Sequence, residues 1–181
     1  MREMEEISVN RVIMGQLPNP FAVPRLMPDR LVQALMSAVP SGTRTVLHVG
    51  CGPADARELH RSFRDGDWRE LRVDVNPAAA PDILAPVTDM RMVADASVDA
   101  VWSHRALETL PPQQMPQALA EFQRVLDEDG FALLALAEPH IAATRLRSAL
   151  IEAGFARVET WETASELWAR AHKNPLPAAA D

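Results

Sequence analysis

Two sets of residues in this chain could do chemistry by their type and spacing. The first is Gly50-Cys51-Gly52, which follows the apolar run Val46-Leu47-His48-Val49. Glycine admits left-handed turns and puts no side chain between the backbone and a ligand. A helix starting just beyond such a loop would aim its positive end at the same spot. The second is Asp74, which lies near the end of another apolar run; 74 − 50 = 24 residues separate it from Gly50. An acid at about that distance commonly accepts hydrogen bonds from the ribose hydroxyls of an adenosine. The sixth position of the loop is Asp55. A carboxylate there would repel a pyrophosphate, which argues against a nicotinamide dinucleotide. It suits an adenosine ligand whose other end is cationic.

These residues need elements to hold them. Thr45 to Val49 read as a buried strand, and a helix follows with Ala56, Leu59 and Phe63 on one face, closing near Asp65-Gly66. Leu71 to Val75 read as a second strand, 82–84 as a short third and 99–102 as a fourth. A helix from about Pro116 carries Leu119, Phe122, Val125 and Leu126 inward, and Asp129-Gly130 is its expected stop. Residues 131–137 are almost continuously apolar, which suits a central strand buried on both faces. A helix over 141–153 ends at Gly154, and the runs 156–160 and 166–172 are spaced to form an antiparallel hairpin. Alternating strands and helices predict an α/β, doubly wound, mostly parallel sheet. Ligands in such sheets bind beyond the carboxyl ends of the strands.

The domain division follows. Residues 1–40 hold Pro18, Pro20, Pro24 and Pro28 and one helix capped by Asp29; 41–174 form the ligand-binding domain; 175–181 are a frayed tail. The chain has 181 residues and a net charge of -7, with no Lys/Arg run, so nucleic acid is a poor fit as a partner. A single cysteine, Cys51, among five scattered histidines predicts no disulfide and no metal site. Nothing near Cys51 looks like a base for a nucleophile. The acidic N-terminus and the lack of a long apolar run predict a cytoplasmic protein without a membrane segment.

Together these motifs resemble those of the class I S-adenosylmethionine-dependent methyltransferases. Val46 to Pro53 is similar to the family's first motif, and Asp74 stands where its ribose-binding acid stands. Asp95 to His104 resembles the fourth-strand segment, followed by Ala106-Leu107-Glu108-Thr109-Leu110. Glu121 to Leu126 with Asp129-Gly130-Phe131, then Gly154-Phe155 and Leu167-Trp168-Ala169, follow in the family's order. The resemblance spans about residues 45–173. It implies a Rossmann-like sheet of seven strands with the last antiparallel, S-adenosylmethionine (SAM) as cofactor, and methyl transfer to a small-molecule acceptor.

Carried over position by position, Gly50, Cys51 and Gly52 would line the methionine part of SAM. Asp74 with Val75 would hold the ribose end. Asp89 would accept from the adenine amino group, and Met90 would pack on the ring. Ser103 and His104 would face the methionine end or the acceptor, with His104 the candidate general base because imidazole titrates near neutrality. The family's frequent third glycine is Ala54 here, its acid two residues before the loop is His48, and its usual histidine at 109 is Thr109. The short link from 137 to 141 carries no acceptor-covering segment, so the proline-rich N-terminus or a partner subunit of a homodimer is expected to supply that cover. The same departures fit a second reading, a chain that keeps the fold as a binding or dimerisation module. His48 is expected to be a half-buried strand residue, His60 to lie on a solvated helix face, and Glu108 to cap or salt-bridge a helix.

Overall fold

The structure, a computed structural model, describes residues 42–53, 59–137 and 141–175. The expected N-terminal helix, the tail, Ala54, Asp55 and His140 lie outside them. The elements run β1 (Arg44–Val49), β2 (Trp68–Asp74), β3 (Ile83–Leu84), β4 (Val98–His104), α1 (Met115–Val125), β5 (Leu126–Ala137), α2 (Ala143–Glu152), β6 (Arg157–Glu162) and β7 (Glu166–His172). The strands form one seven-stranded sheet in the order β3-β2-β1-β4-β5-β7-β6. All neighbours pair in parallel except β7, which is antiparallel to both β5 and β6. This is the α/β, doubly wound, mostly parallel architecture expected from the strand and helix pattern.

The chain leaves β1 toward β2 and β3, then returns to the other side of β1 for β4. That reversal opens the crevice between β1 and β4 at their carboxyl ends, where ligands of such sheets bind. Period-two alternation decides what each face buries. Leu47, Val49, Leu71, Val73, Val101 and Leu134 point to the face covered by α1 and α2, and there they pack with Leu119, Phe122, Leu146 and Leu150. Each such burial contributes roughly 1.5–3 kcal/mol. Val46, Phe63, Ala100, Trp102, Leu133 and Ala135 form a smaller cluster on the opposite face.

Two elements differ from expectation. Over the described part of the segment after the glycine loop, only one 3-10 turn forms, Arg61–Phe63. His60 therefore lies on no solvated helix face; its ring packs on Trp102 (5.4 Å) and Trp168 (5.5 Å), and burial pushes its pKa down. Secondly, α1 stops at Val125 rather than at Asp129-Gly130. The carbonyls of Arg124 and Val125 accept from the N–H groups of Ala96 and Ser97, and Leu126 pairs with Val98. The helix end is thus capped from another segment, and β5 begins four residues before the glycine.

Candidate cofactor site

The glycine loop leaves β1 at the level where β4 ends, since Val49 pairs with Ser103. Gly50 has φ +63° and donates its N–H to Val73 O (2.8 Å). A Cβ on Gly50 would stand 2.4 Å from Ala106 Cβ. Ala106 reaches that spot because Arg105, at φ 60°, turns the chain sharply after β4. The missing side chain at Gly50 therefore admits the protein's own backbone. Cys51 is buried and donates to the same Val73 carbonyl (3.3 Å). Gly52 has φ +62°, and among the described residues a Cβ there would meet nothing within 4 Å. Among them, room lies over Gly52 and not over Gly50.

Asp74 points toward the loop. Its Oδ2 accepts from Gly52 N–H (2.9 Å) and its Oδ1 from Asn76 N–H (2.8 Å). Both bonds fix the carboxylate at the carboxyl end of β2 while leaving each oxygen further lone pairs. Val75, next in the chain, is 60% exposed, a large apolar side chain open beside the carboxylate.

The segment before β4 is held by α1. Arg124 donates to the carbonyls of Val93 (2.8 Å) and Met90 (3.0 Å) and pairs with Glu121 and Asp95. Glu121 in turn accepts from Met90 N–H (2.6 Å), and the hydrogen bond from Arg124 holds its carboxyl below the usual range. Met90 itself is 0% exposed within the larger core. Asp89 pairs with Arg91 (2.5 Å), which lowers its pKa.

At the end of β4, Ser103 is buried, and the His104 ring lies parallel to Trp102 (5.7 Å, 12°). His104 Nε2 donates to Glu166 Oε1 (2.8 Å). A carboxylate only accepts, so Nε2 is the donor in this bond. Glu166 reaches this edge because β7 runs antiparallel, which pairs its first residue with Ala137 at the last position of β5. His48 is buried, with Nδ1 on Glu70 Oε1 (2.7 Å). Glu108 serves structure: it pairs with Arg105 and accepts from the Ala137 N–H. Three charged residues here, Glu70, Arg72 and Glu166, were not singled out by the sequence. Alternation in β2 does put Glu70, Arg72 and Asp74 on one face. Glu166 could be found only through the hairpin register.

The Cys51 thiol is not set up as a nucleophile. Burial pushes its pKa up, against a smaller lowering by the nearby Arg72 charge. Only the thiolate reacts. The folded chain at pH 7.5 should therefore react with iodoacetamide roughly tenfold or more slowly than the same chain in denaturant. A thiol-labelling time course by mass spectrometry checks this, and equal rates would overturn it.

Residues 47–134 match the methyltransferase domain family. Over that stretch the chain is similar to methyltransferase domains. No curated protein matches it. Solved structures agree with the family in fold. The chain is similar to the 1,6-didemethyltoxoflavin-N1-methyltransferase of Burkholderia thailandensis, solved with bound 1,6-didemethyltoxoflavin and S-adenosylhomocysteine (18% identity, 81% of this chain, 78% of that chain, TM-score 0.57). It is also similar to a TehB-like SAM-dependent methyltransferase from Corynebacterium glutamicum (19% identity, 81% and 86%, TM-score 0.58). A SAM-dependent methyltransferase from Archaeoglobus fulgidus gives 13% identity, 81% and 95% coverage, and a TM-score of 0.60.

The methyltransferase's cofactor is SAM, and the site fits it. Among the described residues, room over Gly52 suits the methionine end, and the fixed Asp74 carboxylate with exposed Val75 beside it suits the adenosine. No three metal-ligating side chains gather among the described residues. No helix among them is long and apolar enough to cross a membrane.

Proposed function

We propose that this methyltransferase acts on a small-molecule acceptor, with His104 as general base. One observation carries the reading. Val49 and Ser103 are register partners, so His104 follows at the level of the first loop glycine, and Glu166 holds its ring. A base beside the cofactor loop is what an acceptor hydroxyl or amine needs. The net charge of -7 disfavours a polyanionic acceptor. The similar Burkholderia structure was solved with a small molecule and S-adenosylhomocysteine bound, which supports the same class here.

In this reading Gly50, Cys51 and Gly52 border the methionine part of SAM, and Gly52 gives it room. Asp74 accepts from the ribose hydroxyls, and Val75 covers the adenosine. Asp89 exchanges Arg91 for the adenine amino group; Met90, 0% exposed in the core, does not present its side chain to the ring as the resemblance implied. Ser103 backs the methionine end from within β4. SAM supplies an electrophilic methyl group. His104 takes the acceptor's proton, while Glu166 holds its Nε2 and stabilises the imidazolium that results. Positioning and exclusion of water do the rest.

The test uses SAM labelled in its methyl group, incubated with the protein and a cell extract split by molecular mass. Label should enter the low-mass fraction. Label entering only protein or RNA would overturn the small-molecule reading. His104→Gln should slow that transfer roughly 10²–10⁴-fold and leave S-adenosylhomocysteine affinity within about threefold. An unaltered transfer rate would remove His104 from the chemistry.

A further inference from the structure

Inside a sheet, a strand residue facing a neighbouring loop is ordinarily neutral; β2 places a guanidinium there. Arg72 is 6% exposed. Its Nη1 donates to Ala80 O (2.7 Å), and its Nη2 to Gly52 O (3.0 Å) and Ala79 O (2.9 Å). All three partners are neutral carbonyls. Its Nε is buried with no hydrogen-bond partner among the described residues. Burying a guanidinium whose donors end on neutral carbonyls is costly, and burial alone does not explain its place here.

Its partners do. Gly52 is gripped at both polar groups from the same strand face: Asp74 takes its N–H and Arg72 its carbonyl. Gly52 has no side chain to hold it and a left-handed φ, so without both grips its conformation is one of many. The other two carbonyls belong to the turn that follows β2. Ala80 there sits at φ 46°, a region unfavourable for alanine. Arg72 therefore ties the loop after β1 to the turn after β2, and Asp74 and Val75 stand between the two.

We propose that Arg72 is a positioning residue of the cofactor site, holding the glycine loop and the 77–80 turn in place before SAM arrives. Less ordering then remains to be done on binding, and affinity rises accordingly. The inference rests on the reading of Gly52 and Asp74 as the SAM cradle. It assigns Arg72 no contact with SAM and no part in methyl transfer.

The experiment is calorimetric titration of S-adenosylhomocysteine into the unmodified protein, Arg72→Met and Arg72→Lys. It is run well below each melting midpoint, with circular dichroism to establish the folded state. Arg72→Met should bind about 10–100-fold more weakly, with a less favourable binding entropy. Arg72→Lys keeps the charge but not the fork, and should fall between the two. A residue that merely supports the fold would lower the melting midpoint and leave the affinity of the folded protein alone. Arg72→Met binding within about threefold of the unmodified protein would overturn the inference. If Arg72→Met does not fold, Arg72→Lys decides, and equality with the unmodified protein overturns it. Failure of the unmodified protein to bind S-adenosylhomocysteine would overturn the cradle reading itself, and that outcome is distinct from a null effect at Arg72.

Discussion

Asp74→Ala should weaken binding of S-adenosylhomocysteine by about 100-fold or more, equivalent to ~2.7 kcal/mol. Two losses combine. The carboxylate accepts from Gly52 N–H and Asn76 N–H, so its removal frees the loop and leaves two donors to find water. Hydrogen bonds to a charged group are worth about 1.5–3 kcal/mol each. The ligand's ribose then also lacks its acceptor. Asp74→Asn separates the two effects. An amide oxygen can still serve one of the backbone donors, but the amide nitrogen cannot accept. Its affinity should drop roughly tenfold, with less harm to stability. Calorimetry gives the affinity and urea denaturation the stability. An Asp74→Ala protein that binds as the unmodified one does would remove Asp74 from the site.

The second large effect concerns the two glycines, which share a backbone conformation and differ in surroundings. Gly50→Ala places a Cβ 2.4 Å from Ala106 Cβ and close to its backbone. The backbone of Ala106 cannot swing aside as a long side chain could. Overpacking of this kind costs about 1–3 kcal/mol, and a left-handed alanine adds about 1–2 kcal/mol. Against a typical domain stability of roughly 5–15 kcal/mol, Gly50→Ala should shift the denaturation midpoint steeply downward. Gly52→Ala carries the same φ penalty without the collision. It should cost only about 1–2 kcal/mol of stability, yet it should cut S-adenosylhomocysteine affinity, because the new methyl enters the room proposed for the cofactor. One glycine thus reports on folding and the other on binding. Equal effects of the two substitutions on both measurements would refute this division.

The parts legible in the sequence are those fixed by local chemistry. A strand, two glycines and an acid 24 residues on follow from backbone freedom and short-range pattern, and β1, β2 and their loop match that reading. β5 was readable because a strand buried on both faces needs an unbroken apolar run. What stayed hidden depends on partners distant in the chain. α1 ends at Val125 because Ala96 and Ser97 cap it, and nothing near residue 125 announces that. His60 looks like a helix-surface residue until Trp102 and Trp168 are brought against it. Arg72 and Glu70 carry no signal of their own in the sequence, since a buried charge makes sense only once the carbonyls or the His48 ring beside it are known. His48 itself replaces an acid common in the family, and the carboxylate it pairs with, Glu70, comes from the neighbouring strand.

The direction of β7 has an evolutionary consequence. Because this strand runs against its neighbours, the bend over 163–165 that feeds it opens onto the same rim as His104, whereas the proposed cradle for SAM draws on β1 and β2. Insertions in that bend would reshape the acceptor's surroundings and leave the register of every strand as it is. In the proposed reading, changes at one tight turn would alter the acceptor's side of the site without touching the methyl donor's.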